Sequence, residues 1–379
     1  MHLAAALDQP GAPGTESFVE LARLAERGGL DFVTLDDSAA RPGADALGVL
    51  CRVAPATRRI GLVPTVTTAD PEPLRAQGAV ATLDRLSRGR AGWRLDLGAP
   101  DRSFEGEAVP DRWFEGEAAP GRWFEGEAVP GRSLGGEAVP DRLFEGEAVP
   151  HRSFEGEAVP GRSFGGAAGT GGLSGGGRPR WGDFTGGAFP GQDPQAAPRP
   201  PQGRPVHVVD VTDDHARTVA ARHADVALVR ATTPVQAAGE RDRLLEQAGS
   251  FGRRPGSARI LVSLLVDLGD GERAAQPGHG GGGPRPTGRG PLYRGGPVDL
   301  AELIAAWHAA GVADGFHLVP VEPRRDLERL VNGTAALLQH RGLFRTFYPG
   351  STLREHLGLP RPVTPYATSG ATLTTTDRI

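Results

Sequence analysis

Short apolar runs alternate along the chain with segments whose apolar residues recur at helical spacing, as around Phe18, Leu21 and Leu24. The runs predict eight strands, at 2–7, 31–35, 60–66, 91–97, 206–211, 226–231, 259–268 and 315–319. The helical spacing predicts helices at 15–28, 46–53, 73–86, 215–223, 234–248, 300–310 and 325–340. Strands that alternate with helices pair in parallel through crossover connections. Eight such units predict an α/β fold of the (β/α)8 TIM-barrel type. Pro64 counts against the third strand, because proline lacks a backbone donor.

The predicted barrel is incomplete between its fourth and fifth strands, where a low-complexity repeat takes the place of a helix. Residues 101–170 are seven copies of a decapeptide that begins as DRSFEGEAVP. A proline at the end of most units forbids a long helix. One large apolar side chain per unit buries too little surface to offset the ordering of ten residues. We expect disorder here. The alternative is a multivalent binding array anchored by Phe104, Trp113, Trp123 and Phe154.

Composition divides the chain into three parts. Residues 1–100 are expected to form the first half of the barrel, and 101–180 the repeats and a glycine-rich linker. Residues 181–379 are expected to form the second half, with a Gly/Pro-rich loop at 270–297 and a C-terminal tail. The chain's 56 glycines and 34 prolines bring it close to the composition of low-complexity proteins, so a core depends on the apolar runs outside the poor regions.

Charge and cysteine content exclude several classes of function. The 42 basic and 46 acidic residues leave a net charge of −4, which gives no electrostatic reason to expect nucleic-acid binding. A single cysteine, Cys51, excludes an internal disulfide and a cysteine-based zinc site, and the histidines lack metal-ligand spacing. No apolar run approaches the roughly 18 residues of a membrane span. The N-terminus lacks the basic region of a signal peptide, so we expect a cytoplasmic protein.

Polar residues follow several of the predicted strands at the end where TIM barrels form their active sites. Strand two runs into Asp36 and Asp37, and strand three into Thr67 and Thr68. Strand four carries Arg94, and Thr212 follows strand five. These side chains include no arranged nucleophile and base, so no catalytic residue is predicted from them.

Several longer segments carry a resemblance to a known family. The sharpest is ATLDRLSRGRAGW at 81–93. The others are DFVTLDDS at 31–38, APATRRIGLVPT at 54–65, AARHADV at 220–226, ADGFHL at 313–318 and RGLFRT at 341–346. In this order they resemble the bacterial-luciferase-like flavin-dependent monooxygenases, in the branch of nitrilotriacetate and dibenzothiophene-sulfone monooxygenases. The resemblance covers about two-thirds of the chain, and the family's fold is the same eightfold barrel.

The resemblance implies a monooxygenase that uses reduced FMN, supplied by a separate flavin reductase, and dioxygen on an unknown small organic substrate. The cofactor carries the oxidative chemistry while the protein orients and shields it. This division of labour explains why no acid–base pair need be visible. The family is often oligomeric, so the resemblance also implies a possible homodimer.

The resemblance further implies which residues bind the cofactor. The family's strand-two carboxylate near the flavin falls on Asp37, and its hydroxyl after strand three falls on Thr68, with Thr67 adjacent. Its phosphate donor after strand five falls on Thr212. Arg94 stands where many relatives carry asparagine and could pair with the phosphate. Asp37 could equally cap a helix, the threonines could be ordinary strand residues, and Arg94 could form a structural salt bridge.

The chain departs from the family at two points that concern the flavin. The glycine of the family's Gly-Ser pair is Val211 here, and Asp213 would repel a phosphate. The family's histidine and tyrosine after strand four have no equivalent, because the repeats begin there. A second hypothesis is therefore a degenerate barrel without flavin activity that acts, if at all, as a binding protein.

Overall fold

Eight parallel strands close into a ring in the computed structural model, which describes residues 1–9, 14–36, 45–67, 73–96, 201–269 and 283–362. The ten strands are β1 (His2–Ala6), β2 (Phe32–Leu35), β3 (Gly61–Thr67), β4 (Gly92–Asp96), β5 (Val206–Val211), β6 (Val226–Val229), β7 (Arg259–Asp267), β8 (Arg285–Thr287), β9 (Gly290–Arg294) and β10 (Gly315–Pro320). Strands β1 to β7 pair in sequence order, and β10 pairs with both β7 and β1, which closes the ring. The predicted TIM-barrel fold is confirmed.

Helices lie between most of the strands. They are α1 (Thr15–Arg27), α2 (Ala46–Val53), α3 (Pro73–Ser87), α4 (Asp214–His223), α5 (Pro234–Ser250), α6 (Pro297–Ala309), α7 (Pro323–Arg329), α8 (Ala336–His340) and α9 (Leu353–His356). A π-helical segment, Leu330–Ala335, joins α7 to α8. No helix among the described residues is long and apolar enough to cross a membrane.

Two apolar cores follow from the alternation of side chains along each strand. Outward-facing residues such as Val33 and Val262 pack against the helices in a large cluster that also buries Phe18 and Trp307. Inward-facing residues form a second cluster, which includes Phe32 and the aliphatic side chains of β3, β5, β6 and β7. Leu353, Leu357 and Leu359 join this second cluster and close the amino-terminal end of the barrel.

The closure at the amino-terminal end depends on a small residue in β3. A Cβ atom at Gly61 would lie 2.6 Å from Cδ1 of Leu353 and 2.8 Å from Cβ of Phe32. Any larger side chain would therefore displace α9 or β2. As a result, the interior of the barrel is closed by packed apolar side chains at its amino-terminal end.

The ring closes directly between β4 and β5, since Gly92 to Leu95 pair in register with Val206 to Val209. Residues 97–200 lie outside the described part of the chain. The expected disorder of the repeats, the missing helix and the division at residues 100 and 180 fall there and stay predictions. The C-terminal tail from 363 onwards also lies outside it.

The prediction of a Gly/Pro-rich loop over residues 270–297 is wrong for residues 285–297. β8 and β9 form an antiparallel hairpin there, and α6 begins at Pro297. The hairpin is stabilised by parallel pairing of β9 with the carboxyl-terminal end of β7. Residues 270–282 lie outside the described ranges.

The structure also shows that Pro64 does not prevent the third strand from forming, although proline counted against it in the sequence. β3 pairs with β2 on one side and β4 on the other, and Pro64 lies opposite Leu35 within it. Because backbone donors in a parallel strand point alternately to its two neighbours, one proline removes only a single ladder bond. Burial of the surrounding apolar run outweighs that loss.

Candidate functional site

A group of polar side chains occupies the carboxyl-terminal half of the barrel interior. Its members are linked to one another by hydrogen bonds and ion pairs, or lie close enough to interact electrostatically. We call them the interior polar cluster: Thr34, Asp36, Thr65, Arg94, Asp210, Arg230, Ser263 and His317. They come from β2, β3, β4, β5, β7 and β10 or from the residue that follows β2 or β6. Parallel strands place these ends together, which is why residues distant in sequence meet here.

His317 is the most deeply buried titratable member of the cluster. Its Nε2 lies 2.9 Å from the hydroxyl of Thr34, and its Nδ1 lies 3.1 Å from the hydroxyl of Ser263. Burial, with smaller contributions from the positive charges of Arg94 and Arg230, lowers the pKa of His317 to about 3. The imidazole is therefore neutral at physiological pH, with one ring nitrogen donating and the other accepting.

Arg94 lies on the inner face of β4 and joins two neighbouring strands. Its Nε donates to the hydroxyl of Thr65 at 2.9 Å, and its Nη2 lies 3.2 Å from Oδ1 of Asp36. The Arg94 side chain is only 13 % exposed. These two partners fix the plane of the guanidinium, so its remaining donors are held in one orientation inside the barrel.

A second guanidinium–carboxylate pair lies across β5 and β6. Nη2 of Arg230 lies 2.8 Å from Oδ2 of Asp210, and the Arg230 side chain is 41 % exposed. The other carboxylate oxygen of Asp210, Oδ1, is buried and accepts no hydrogen bond from any described residue. An acceptor in this state needs a donor from a bound molecule or water.

The sequence-predicted binding residues differ in how far the structure describes them and in where it places them. Arg94 is a member of the interior polar cluster. Asp37 and Thr68 lie outside the described residues, and Thr67 ends β3 with only its backbone described. Thr212 is exposed, and its hydroxyl donates to Oδ2 of Asp213 at 3.4 Å.

The start of α4 near Thr212 is already occupied by a carboxylate. Oδ1 of Asp213 accepts the backbone N–H of Ala216 at 2.7 Å and so caps the helix. The capping carboxylate satisfies one of the free amides and places a negative charge where a phosphate would bind. The repulsion expected from Asp213 therefore has a structural basis.

Three cluster members were missed from the sequence: Thr34, Arg230 and Ser263. Each lies inside a strand as the sequence predicts it, so a search at strand ends passes over them. The signal that could have found them is the two-residue period, since Phe32, Thr34 and Asp36 alternate with apolar residues that face the helices. Polar residues on the inner face of a barrel strand need partners on other strands of the ring.

The donor set of the cluster fits a flavin. A flavin ring presents carbonyl and ring-nitrogen acceptors together with an N–H donor, and its phosphate is anionic. Arg94 and Arg230 offer charged donors, while Oδ1 of Asp210 offers a buried acceptor without a partner among the described residues. Within the described ranges, no group of three or more His, Cys, Asp or Glu side chains could hold a metal ion.

The closed eightfold barrel with polar groups at its carboxyl-terminal end defines the class of protein, a TIM-barrel enzyme scaffold. Comparison with known proteins narrows the class. The family model described as luciferase-like monooxygenase matches residues 1–114. The chain is 27 % identical to N-acetyl-S-(2-succino)cysteine monooxygenase of Bacillus subtilis (strain 168), over 97 % of this chain and 96 % of that protein.

Two further comparisons also match this chain to monooxygenases. Nitrilotriacetate monooxygenase component A of Aminobacter aminovorans is 26 % identical over 93 % of this chain and 91 % of its own length. The solved structure of EDTA monooxygenase (EmoA) from Chelativorans sp. BNC1 superposes with a TM-score of 0.64 at 18 % identity, covering 95 % of this chain and 99 % of that one, which shows the shared fold. The chain is therefore similar to luciferase-like flavin monooxygenases, among them nitrilotriacetate monooxygenase, as its motifs predicted. A flavin is the cofactor that this family implies.

Proposed function

We propose that the protein is a flavin-dependent monooxygenase that uses reduced FMN and dioxygen to oxygenate a small organic molecule. The observation that carries this proposal is the interior polar cluster, in which two oriented guanidinium groups lie above an apolar floor. Relatives named as monooxygenases that span almost the whole chain support it. Both of their named substrates carry carboxylate groups.

The residues proposed to hold FMN are Asp37, Thr67, Thr68, Arg94 and Thr212. Among them Arg94 has the strongest structural support, because Thr65 and Asp36 fix its guanidinium inside the barrel. Thr212 has the weakest, because its hydroxyl faces Asp213. Oδ1 of Asp210 is an additional acceptor that a flavin N–H would satisfy.

A reduced flavin held by these residues would supply the two electrons and two protons with which dioxygen is reduced, so that one oxygen atom could enter the substrate while the other leaves as water. The protein's own contribution is to exclude water and to hold charge. The apolar floor of Phe32, Val63 and Leu261 keeps solvent from the lower lumen, and neutral His317 adds no positive charge to the space above it.

We further propose that a separate flavin reductase supplies the reduced cofactor. The support is the relative named component A, a name that denotes one part of a system. A homodimer is also proposed, on the family resemblance alone. Size-exclusion chromatography with light scattering tests the dimer, and FMN-dependent oxygen consumption with a generic flavin reductase tests the coupling.

Anaerobic titration with reduced FMN tests the proposed function. We expect saturable binding in the micromolar range, and at least about tenfold weaker binding by Arg94→Gln, because a charge-assisted hydrogen bond is lost. Arg254→Gln is the matched control, since Arg254 is exposed in the loop before β7, at the opposite end of the barrel. Absence of binding at millimolar reduced FMN would refute the enzyme and support the degenerate barrel.

A further inference from the structure

We infer that the β8–β9 hairpin forms a cationic wall of the active-site mouth that selects substrates with two or more carboxylate groups. The inference rests on the proposed function, whose substrate it specifies. It begins from the position of β9. Residues 261–266 of β7 pair with β10 on one side. Residues 265–267 pair with β9, which must therefore lie on the other side, where β6 ends at Val229.

The hairpin thus extends the barrel wall above the end of β6. Two contacts confirm this position. The Cβ position at Gly290 lies 4.0 Å from Cδ of Arg230, and that at Gly283 lies 3.9 Å from the carbonyl oxygen of Thr232. Arg230 belongs to the interior polar cluster, so the hairpin stands directly beside the candidate flavin site.

The pairing registers show which side chains face the mouth. Leu261 is part of the inner apolar cluster, and Leu264 and Val266 pack outward against the helices. Leu265 and Asp267 therefore face the lumen. Leu265 pairs with Leu292, and Leu292 pairs with Arg285 on β8.

Because directly paired residues share a face of the sheet, Arg285 is on the lumen side. Arg294 is on it as well, since it pairs with Asp267 in the ladder. Tyr293, which alternates with them, packs outward in the larger core. The two arginines of the hairpin strands therefore present their charge to the same space as the cluster.

This wall carries more positively charged than negatively charged side chains. Asp267 has two guanidinium partners, with Arg294 Nε at 2.9 Å and Arg325 Nη2 at 2.6 Å. Arg285 is exposed and pairs with no carboxylate within the described ranges. Arg325 also pairs with Oδ1 of Asp326 at 2.8 Å, so three guanidinium groups accompany two carboxylates. The remaining positive charge attracts an anion, and a guanidinium group can bind a carboxylate bidentately.

The test uses propane-1,2,3-tricarboxylate and its neutral triamide as probes, titrated calorimetrically into protein already saturated with reduced FMN under anaerobic conditions. We expect the tricarboxylate to bind and the triamide not to bind. Arg285→Gln should weaken binding about tenfold, Arg285→Lys less, and Arg254→Gln not at all. Reduced-FMN affinity should stay within twofold in all three variants.

Equal affinity for the two probes, or equal effects of Arg285→Gln and Arg254→Gln, would overturn the inference while leaving the flavin result standing. Failure of the wild-type protein to bind reduced FMN would overturn the proposed function instead. In that case the same titration of the flavin-free protein decides the cationic wall, because binding that depends on Arg285 supports it and absence of such binding refutes it.

Discussion

Nε2 of His317 lies 2.9 Å from the hydroxyl of Thr34, although 283 residues separate them in the sequence. The two residues stand on β10 and β2, which are not neighbours in the ring, since β1 lies between them. Their hydrogen bond therefore spans the lumen above β1. It forms only when β10, the last of the ten described strands, lies beside β1, which makes it a marker for the addition of that strand.

The low pKa of His317 predicts a specific dependence of stability on pH. Its folded pKa of about 3 lies below the ordinary value of 6.5, so between these pH values the unfolded chain binds more protons. The free energy of unfolding therefore keeps its full contribution from neutral His317 above about pH 6.5, and it falls as the pH drops towards 3. At pH 5 the loss attributable to His317 is about 2 kcal/mol. Urea denaturation at pH 5 and pH 8 measures it.

The variant His317→Gln should flatten that dependence, while remaining folded because an amide still bonds both hydroxyls. His356, whose pKa burial lowers to about 4 with Arg345 acting in the same direction, leaves a residual slope in the same pH range. His340→Gln serves as a control at an exposed histidine. Parallel curves for wild type and His317→Gln would show that His317 does not resist protonation.

Thr65 is predicted to act through Arg94. Its hydroxyl accepts from Nε of Arg94 at 2.9 Å, so Thr65→Val removes the acceptor and frees the guanidinium to rotate. The affinity for reduced FMN should fall about fivefold, the equivalent of one hydrogen bond of about 1 kcal/mol. Thr65→Ser keeps the hydroxyl and should keep the affinity. Equal affinities for the valine and serine variants would exclude this role for Thr65.

Arg354 is predicted to be the main electrostatic anchor of α9 at the barrel floor. Its guanidinium lies 2.6 Å and 3.2 Å from the two oxygens of Asp225, and both side chains are only 4 % exposed. The same guanidinium holds the pKa of Asp225 below its ordinary value, against the opposing effect of burial. Arg354→Met leaves Asp225 with the guanidinium of Arg204 at 3.3 Å and the backbone N–H of His207 at 3.0 Å.

Removing one partner of a buried pair costs about 3–5 kcal/mol. Chemical denaturation of Arg354→Met at pH 7 should show a loss of that size. The comparison variant is Arg361→Gln, whose exposed pair with Glu355 should contribute less than about 1 kcal/mol. A loss below 1 kcal/mol for Arg354→Met would mean that the leucines of the floor hold α9 without the ion pair.

Gly315 is predicted to be essential for closing the ring. A Cβ atom there would overlap the backbone carbonyl of His2, with which β10 pairs. Backbone atoms of a strand cannot move aside without breaking the ladder, so Gly315→Ala should cost several kcal/mol or prevent folding. Gly78→Ala, which meets nothing within 4 Å in α3, should be neutral or slightly stabilising. Similar thermal melting of the two variants would contradict this prediction.

The fold was predictable because the spacing of apolar residues along the chain indicates where each strand and helix lies. Val206–Val211 and Ala46–Val53 have the bounds that their apolar residues predicted, and the remaining predicted elements are present with bounds shifted by a few residues. The β8–β9 hairpin was not predictable in this way. Its first strand is Arg-Pro-Thr, which is fully exposed, and it forms because β9 can add to the projecting end of β7.

The candidate site was only partly predictable. Arg94 and Asp36 lie near strand ends, where the barrel rule directs attention, and they prove to be ion-paired. Ser263 and His317 lie in the middle of apolar strands, and their side chains meet because β10 pairs with β7 in a register that places the two residues opposite each other. Contacts across a lumen depend on register and closure, and a single sequence does not specify either directly.

The direct pairing of β4 with β5 has an evolutionary consequence. The chain leaves the barrel after residue 96 of β4 and re-enters it at residue 206 of β5, which is the adjacent strand. The segment between these residues can therefore change in length without altering any hydrogen bond between the two strands. Loop-closure entropy grows only logarithmically, at about 0.6 kcal/mol for each doubling. This junction is therefore a place where a gene can gain or lose tandem units while the scaffold around it persists.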